Sequence, residues 1–133
     1  MFSFMLDTNI CIYVIKEPPI KALNKFNQYA GRICVSSIVA SELYFGAYNS
    51  QFMDKNLHQV EDFLSRLTVL DYTAECSPHY GEICADLTKQ GKLISENDIH
   101  IASHARALGL TLITNNTDEF KRVSGLRVDN WAI

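Results

Sequence analysis

Short runs of strand-forming residues alternate with longer stretches that carry apolar residues at helical spacing, and this alternation constrains the fold more than any other feature. The strand-like runs are predicted at residues 2–6, 33–35, 68–70, 110–114 and 126–128. Since parallel strands are joined by crossover helices, the pattern predicts an α/β fold with one parallel sheet covered by helices on both faces. A length of 133 residues is the usual size of one domain, so we expect a single domain over residues 1–133.

Proline and capping residues mark the predicted helix boundaries. The pair Pro18-Pro19 is predicted to end the first helix and permit a second. Thr73 is predicted to cap a helix that ends near Gly91. The segment 95–98 matches the capping pattern Ser-x-x-Asp, and a short helix is predicted over 118–123.

The overall charge is close to balanced, with 12 basic and 15 acidic residues and a net charge of -3. The chain therefore lacks the basic excess that is typical of nucleic-acid-binding proteins. If four acids bind a metal, however, the charges of the remaining surface become slightly cationic. Apolar runs fall well short of the roughly 20 residues of a membrane span, and the first residues lack the basic region of a signal peptide. We therefore expect a cytoplasmic protein without a membrane segment.

The cysteines and histidines follow no recognisable metal-binding pattern. The four cysteines contain no Cys-x-x-Cys pair and lie in apolar stretches, which predicts small buried side chains rather than a zinc site. His100 and His104 are one helical turn apart, but no Glu follows His100 and no third ligand is obvious. Both histidines are therefore predicted to be exposed helix residues.

Four acids fall where a doubly wound sheet would gather them. Asp7 directly follows the first strand, although it could equally be the cap of the next helix. Glu42 lies on the apolar stripe of its helix, and Asp98 faces the core side near a helix N-terminus. Glu119 falls in the first helical turn after Asn116. Ligand sites in such folds form at the carboxyl ends of the strands, so we expect these residues to converge there.

Carboxylates gathered in one pocket need protons or a cation, because two of them about 4 Å apart repel by about 4 kcal/mol at an effective dielectric constant near 20. Oxygen ligands without His or Cys favour Mg²⁺, with Mn²⁺ as a substitute, over Zn²⁺. Such a site is typical of phosphate chemistry. The sequence lacks the glycine-rich loops of P-loop and dinucleotide-binding proteins, the Asp-x-Asp motif of haloacid-dehalogenase-type phosphatases and the Gly-x-Ser-x-Gly motif of serine hydrolases.

Four motifs in order resemble those of the PIN-domain ribonucleases, in particular the VapC toxins of bacterial VapBC toxin-antitoxin pairs. The motifs are Phe4-Met5-Leu6-Asp7-Thr8-Asn9-Ile10, Ser36-Ser37-Ile38-Val39-Ala40-Ser41-Glu42-Leu43 with Gly46-Ala47, Asn97-Asp98-Ile99-His100-Ile101-Ala102, and Leu112-Ile113-Thr114-Asn115-Asn116 with Phe120. The resemblance covers essentially the whole chain. It implies a three-layer α/β/α fold around a mainly parallel five-stranded sheet, and an endoribonuclease that depends on Mg²⁺ or Mn²⁺.

The resemblance also implies roles for the candidate residues. Asp7, Glu42 and Asp98 match the family's three acidic positions, with Asp7 and Asp98 as the principal metal ligands. Asn116 stands where many relatives have a fourth acid, so it would bind the metal through its carbonyl or through water, unless Glu119 supplies the missing charge. Four further residues match polar positions that orient these ligands or the phosphate: Thr8, Asn9, Ser37 and Thr114.

Partners follow from the same resemblance. Similar toxins cut structured RNA at one site, which implies cleavage of a transfer RNA, with the anticodon stem-loop of initiator transfer RNA as the expected target. A homodimer is expected, forming a larger complex with a VapB-type antitoxin that inserts a basic or aromatic side chain into the acidic pocket. Five residues could make such contacts or simply pack in the core: Tyr44, Phe45, Tyr48, Phe52 and Met53.

The leading hypothesis is hydrolysis of an RNA phosphodiester by water activated on a metal at Asp7 and Asp98, with Glu42 completing the cage and orienting the attack. In-line attack would leave a 5′-phosphate and a 3′-hydroxyl. Asn116 in place of an acid motivates an alternative, a non-catalytic PIN-like RNA-binding module. A small-molecule phosphatase is the third hypothesis.

Overall fold

A parallel sheet forms the centre of the computed structural model, which describes residues 1–17 and 20–133. Within those residues the strands are β1 (Phe4–Leu6), β2 (Ile33–Ser36), β3 (Thr68–Leu70), β4 (Thr111–Ile113) and β5 (Val128–Asp129). Their order is β3-β2-β1-β4-β5, and every neighbouring pair is parallel. The predicted α/β fold with a five-stranded parallel sheet is confirmed.

Helices connect the strands and cover the sheet. They are α1 (Thr8–Lys16), α2 (Ile20–Gln28), α3 (Ser37–Tyr48), α4 (Met53–Ser65), α5 (Ser77–Gln90), α6 (Glu96–Ala107) and α7 (Thr117–Phe120). From β1 the chain moves outward to β3, and it then returns past β1 to β4 and β5. Because crossovers between parallel strands are right-handed, this reversal places α1 to α4 on one face and α5 and α6 on the other. The predicted helix end at Pro18-Pro19 lies outside the described residues.

The three central strands contain the most completely buried part of the core. Met5, Leu6, Val35, Leu112 and Ile113 have no solvent-exposed surface. Parallel strands between two helical layers are covered on both faces, which is why these segments are continuously apolar. Packing on both faces fixes the register of the strands, and with it the position of the polar residues that follow them.

Aromatic rings close the amino edge of the sheet. The Phe4 ring centroid lies 4.6 Å from that of Tyr29 and 4.9 Å from that of Trp131. The Arg32 guanidinium lies over the rings of Phe4 and Tyr29. These contacts hold the C-terminal segment against β1 and against the residue that follows α2.

Several predicted boundaries differ from the observed ones: β1 begins at Phe4 rather than residue 2, β2 ends at Ser36 rather than residue 35, and β4 covers Thr111–Ile113 rather than residues 110–114. Thr73 precedes a 3-10 helix, Ala74–Cys76, and α5 begins only at Ser77. The reason is Pro78, which lacks an N–H and fits the first turn of a helix. The last helix ends at Phe120 rather than residue 123, and β5 covers Val128–Asp129 rather than residues 126–128.

Two expectations from composition can be compared with the structure. Cys11, Cys34 and Cys76 are buried and Cys84 is half-buried, as predicted for small apolar side chains. Within the described residues, no helix combines the length and apolar character that crossing a membrane requires.

Candidate active site

The candidate site lies where the direction of the chain reverses within the sheet. β1 and β4 are neighbours, but they are far apart in sequence and their following segments diverge to opposite faces. Such a switch point leaves a crevice at the carboxyl ends of the strands. Asp7 follows β1, and its backbone N–H donates to the carbonyl of Ile113 in β4 at 2.9 Å. Asp7 is thereby placed at the opening of the crevice.

Asp7 is held by hydrogen bonds to both of its carboxylate oxygens. Oδ1 accepts the backbone N–H of Thr8 at 2.6 Å, which makes Asp7 the N-cap of α1. Oδ2 accepts the hydroxyl of Thr114, the residue after β4, at 2.6 Å. The Thr114 hydroxyl in turn accepts the backbone N–H of Asn116 at 2.9 Å. Asp7 is therefore both a helix cap and a fixed carboxylate at the crevice.

Burial makes Asp7 a weaker acid than an ordinary aspartate. Only 2% of its surface is exposed. The pKa of Asp7 is raised from 3.8 to about 6, chiefly by loss of hydration on burial and also by the charges of Asp98 and Glu42. The hydrogen bonds from Thr114 and Thr8 act in the opposite direction because they favour the ionised form. A buried carboxylate with two acidic neighbours is an environment that a cation would stabilise.

Glu42 is connected to α1, the helix that Asp7 caps, through the hydroxyl group of Thr8. It lies half-buried on α3, and its Oε1 accepts the Thr8 hydroxyl at 2.5 Å. Thr8 is the first residue of α1, so this contact ties the start of α1 to α3. Thr8 thereby contacts two acids, Asp7 through its backbone N–H and Glu42 through its side chain.

Asp98 approaches from the other face of the sheet. It lies in the first turn of α6, where its N–H is capped by the Ser95 hydroxyl at 3.2 Å. Burial, with the charges of Glu42 and Glu119, raises the pKa of Asp98, while a hydrogen bond with Ser95 opposes the rise. The structure thus brings four predicted acids, Asp7, Glu42, Asp98 and Glu119, into one electrostatic neighbourhood.

The remaining predicted residues have different surroundings. Asn116 is the N-cap of α7 but its side chain makes no capping bond. Asn9 is exposed on α1. The Ser37 hydroxyl accepts the backbone N–H of Tyr72 at 3.0 Å, so it holds the end of β3 rather than one of the acids.

The oxygen atoms of the candidate site suit a hard divalent cation, but they are not arranged around a single position for one. All the donors are oxygens, which favours Mg²⁺ or Mn²⁺ over softer metals. In the described part of the chain, however, no three Asp, Glu, His or Cys side chains already surround a common point at ligand distances.

A buried polar network beside the site was not predicted. His104 is 2% exposed, so the expectation of an exposed helix residue was wrong, and His100 is half-buried. Nδ1 of His104 lies 2.8 Å from the hydroxyl of Ser36, the N-cap of α3. Nδ1 of His100 lies 2.7 Å from the Tyr72 hydroxyl. The four-residue spacing of the two histidines was the available signal, and it marks a face turned toward α3 and the end of β3.

A small groove beside Glu42 separates α1, α3 and α4. It has a volume of about 120 Å³, and its lining is mainly apolar, from Ile12, Ile15, Leu43, Ala47 and Val60. This is too small for most small-molecule ligands and is closer to the size of one side chain. The groove therefore gives no support to a small-molecule phosphatase.

Comparisons with known proteins identify the family of this fold. Residues 4–126 match the PIN domain family. Ribonuclease VapC2 of Haemophilus influenzae is 58% identical over 99% of this chain and 100% of its own length. The tRNA(fMet)-specific endonuclease VapC of Shigella flexneri is 48% identical over 99% of this chain and 100% of its own length.

Solved structures give the same result. A chain in the crystal structure of DNA-bound VapBC from Salmonella typhimurium superposes with a TM-score of 0.95 at 44% identity, covering 98% of this chain and 99% of that one. VapBC2 from Rickettsia felis, bound to a promoter DNA fragment, gives a TM-score of 0.93 at 42% identity, covering 98% of this chain and 99% of that one. The chain therefore belongs to the PIN-domain family, within its VapC group.

Proposed function

We propose that this chain is the toxin of a VapBC pair and acts as a metal-dependent endoribonuclease that cleaves transfer RNA, with initiator transfer RNA as the best candidate. Relatives named as ribonucleases and as a tRNA(fMet)-specific endonuclease support the reaction and the substrate. The observation that carries the proposal is the buried carboxylate of Asp7, held by Thr8 and Thr114 beside two further acids.

Asp7, Asp98 and Glu42 are the residues that would hold Mg²⁺ or Mn²⁺, with Asn116 or Glu119 as a further donor. When bound, the ion would activate water and neutralise charge on the scissile phosphate. Thr114 and Thr8 keep the two oxygens of Asp7 in a fixed direction. Thr8 also orients Glu42, so one residue sets the separation of two acids.

A transfer-RNA cleavage panel tests the proposal. Purified protein is incubated with Mg²⁺ or with EDTA, and the 5′-phosphate and 3′-hydroxyl ends of the products are mapped. Asp7→Asn should lower the cleavage rate at least about 100-fold, since loss even of a group that only supports a metal ligand costs about 10- to 100-fold. Cleavage that persists in EDTA, or in Asp7→Asn, would contradict the proposal.

The alternative is a non-catalytic RNA-binding module, which Asn116 at the fourth position favours. The same panel distinguishes the two functions. A binding module would shift the mobility of the RNA in a native gel without cutting it, with or without Mg²⁺.

We propose that the groove between α1, α3 and α4 takes part of a VapB-type antitoxin in the cytoplasm. Solved relatives are VapBC complexes. The apolar lining suits the apolar side chains of an antitoxin helix, and Glu42 at the groove suits a basic one. Gly46 also lines the groove, and a Cβ there would meet no atom within 4 Å, so Gly46→Leu should fold and block the complex. Co-purification with the product of the neighbouring open reading frame measures this.

Exposed aromatic residues provide a second surface for the proposed homodimer and antitoxin complex. Phe45 is 69% exposed, Tyr48 62% and Phe52 64%, while Tyr44 is half-buried against the core and Met53 is 41% exposed. Large exposed aromatic side chains in one stretch are typical of protein interfaces. Light scattering of the variant with Phe45, Tyr48 and Phe52 replaced by Ser should show a monomer if the proposal is right, and an unchanged dimer if it is wrong.

A further inference from the structure

Three exposed cations lie beside the acidic site, where two loops meet. Lys92 is in the loop between α5 and α6, and Lys121 and Arg122 directly follow α7. Nη1 of Arg122 donates to the backbone carbonyl of Lys92 at 3.4 Å, which connects the two loops. We call Lys92, Lys121 and Arg122 the basic rim.

Backbone hydrogen bonds hold the basic rim in place. Gly91 ends α5 in the left-handed conformation, with φ of 66°, and the N–H of Lys92 then donates to the carbonyl of Leu87 at 3.0 Å. On the other loop, the N–H of Arg122 donates to the carbonyl of Glu119 at 3.1 Å. The rim residues therefore start from ordered backbone rather than from long flexible loops.

The acids lie immediately next to the rim along both loops. Glu119 is three residues before Arg122, and the α5–α6 loop that carries Lys92 leads directly into the first turn of α6, which contains Asp98. Arg122 donates to the carbonyl of Glu119 through its N–H and to the carbonyl of Lys92 through its side chain, so Glu119 lies where the two loops meet. The basic rim and the acid cluster are thus parts of one continuous surface.

No acid in the described residues forms an ion pair with the basic rim. The ion pairs there join Arg66 to Asp62, His100 to Glu96 and Arg106 to Glu82. Exposed lysines and arginines are ordinarily solvated, so what sets the basic rim apart is the Arg122 side chain, which connects the two loops that carry it. The net charge of -3 makes such a basic area a local feature rather than a property of the whole surface.

We propose that the basic rim binds a backbone phosphate of the RNA strand, next to the phosphate that lies at the acid cluster. This rests on the proposed function. An RNA strand carries one negative charge at every nucleotide, so one phosphate can be neutralised with the acid-bound cation while its neighbour contacts Lys92 and Arg122. An acidic protein segment fits less well, because its carboxylates would face Asp98 and Glu119 without an intervening cation.

The experiment measures how RNA binding depends on salt. Binding of a fluorescently labelled RNA stem-loop is followed by anisotropy in Mg²⁺, with all variants in an Asp7→Asn background so that the RNA stays intact. Lys92→Gln/Arg122→Gln is compared with Lys25→Gln/Arg32→Gln, which removes the same charge at the amino edge. A charge-conserving variant, Lys92→Arg/Arg122→Lys, separates loss of charge from loss of local structure, and circular dichroism confirms folding.

The rim variant should lower the slope of log K against log salt by about 0.7, since one neutralised phosphate on a single strand contributes about 0.7. The amino-edge and charge-conserving variants should keep the slope of the Asp7→Asn protein. An unchanged slope in the rim variant, or absence of RNA binding by the Asp7→Asn protein, overturns the proposal. The proposal is also overturned if the rim variant loses binding to polyglutamate but keeps its binding to RNA. If the rim variant has the lower slope but the unmodified protein does not cleave RNA, phosphate binding by the basic rim is supported and only the proposed nuclease activity is contradicted.

Discussion

The Thr8 hydroxyl donates a hydrogen bond to Oε1 of Glu42 at 2.5 Å, across 34 residues of sequence. The first turn of α1 is thereby joined to the middle of α3. The backbone N–H of the same threonine donates to Asp7. The relative position of two candidate metal ligands therefore depends on a neutral residue that is not itself a ligand in the proposed site.

Thr8→Val should keep the fold and weaken cleavage. It removes one hydrogen bond to a charged group, worth about 1.5 kcal/mol, so kcat should fall by about tenfold while KM for RNA changes little. Steady-state kinetics on the transfer-RNA substrate measures the effect. Thr68→Val, on the exposed strand β3, is the matched control and should behave like the unmodified protein. Equal losses in both variants would mean that the Thr8 hydroxyl has no specific role.

Thr114→Val should move the pH dependence of cleavage to higher pH. The Thr114 hydroxyl favours the ionised form of Asp7, so its removal should raise the pKa of Asp7 further above the present value of about 6. Cleavage should then fall more at pH 6 than at pH 8. Thr114→Ser retains the hydroxyl and should keep the original profile. A profile that is lowered equally at every pH would contradict this account of Asp7.

Asp7→Asn should make the metal-free protein more stable at pH 8. The pKa of Asp7 is raised from 3.8 to about 6, so its contribution is fully favourable below about pH 4 and is lost as the pH rises through 6. Asparagine has no charge to lose hydration, so the gain at pH 8 is at most about 3 kcal/mol. The gain in stability is smaller than this limit, because the amide has only one oxygen and cannot replace both carboxylate oxygens that accept from Thr8 and Thr114. Urea unfolding in EDTA at pH 8 and pH 5 should show the advantage shrinking toward acid, and a destabilised variant at pH 8 would contradict the prediction.

Divalent cations should stabilise the unmodified protein more than Asp7→Asn. An ion that binds only the folded state at about 100 times its Kd adds about 2.7 kcal/mol to the free energy of unfolding. Thermal melts with increasing Mg²⁺ or Mn²⁺ should therefore raise Tm by several degrees in the unmodified protein. Equal shifts in both proteins would indicate binding elsewhere on the surface.

Two glycines should respond oppositely to alanine. Gly91 has a positive φ of 66°, where a Cβ costs about 1 to 2 kcal/mol, so Gly91→Ala should lower the free energy of unfolding although no atom lies within 4 Å of the added carbon. Gly46 has ordinary helical geometry in α3 and the same open space, so Gly46→Ala should stabilise by about 0.5 to 1 kcal/mol. Chemical denaturation of the two variants compares them directly. A similar effect at both positions would show that the backbone conformation of Gly91 is not what requires glycine.

The pattern of the sequence was sufficient for the sheet because parallel strands and their crossover helices have distinct periodicities. The apolar runs that form β1, β2 and β4 are buried on both faces. A strand buried in this way needs a continuous run of apolar residues, which is visible in the sequence without knowledge of its tertiary contacts. Boundaries were less well determined where one residue overrides a pattern. Pro78 moved the start of α5 away from Thr73, although Thr73 is a good capping residue by itself.

For the candidate site, the sequence by itself determined which acids follow a strand, lie near a helix N-terminus or fall on an apolar helix stripe: Asp7, Asp98, Glu119 and Glu42. Only the tertiary structure decided their electrostatic coupling, the Thr114 hydroxyl that holds Asp7 and the burial of His104. The spacing of apolar residues predicts which side of a helix or strand a residue occupies, because that depends on neighbours along the chain. It does not predict the distance between two elements, since that distance is set by the packing of both elements against the rest of the core.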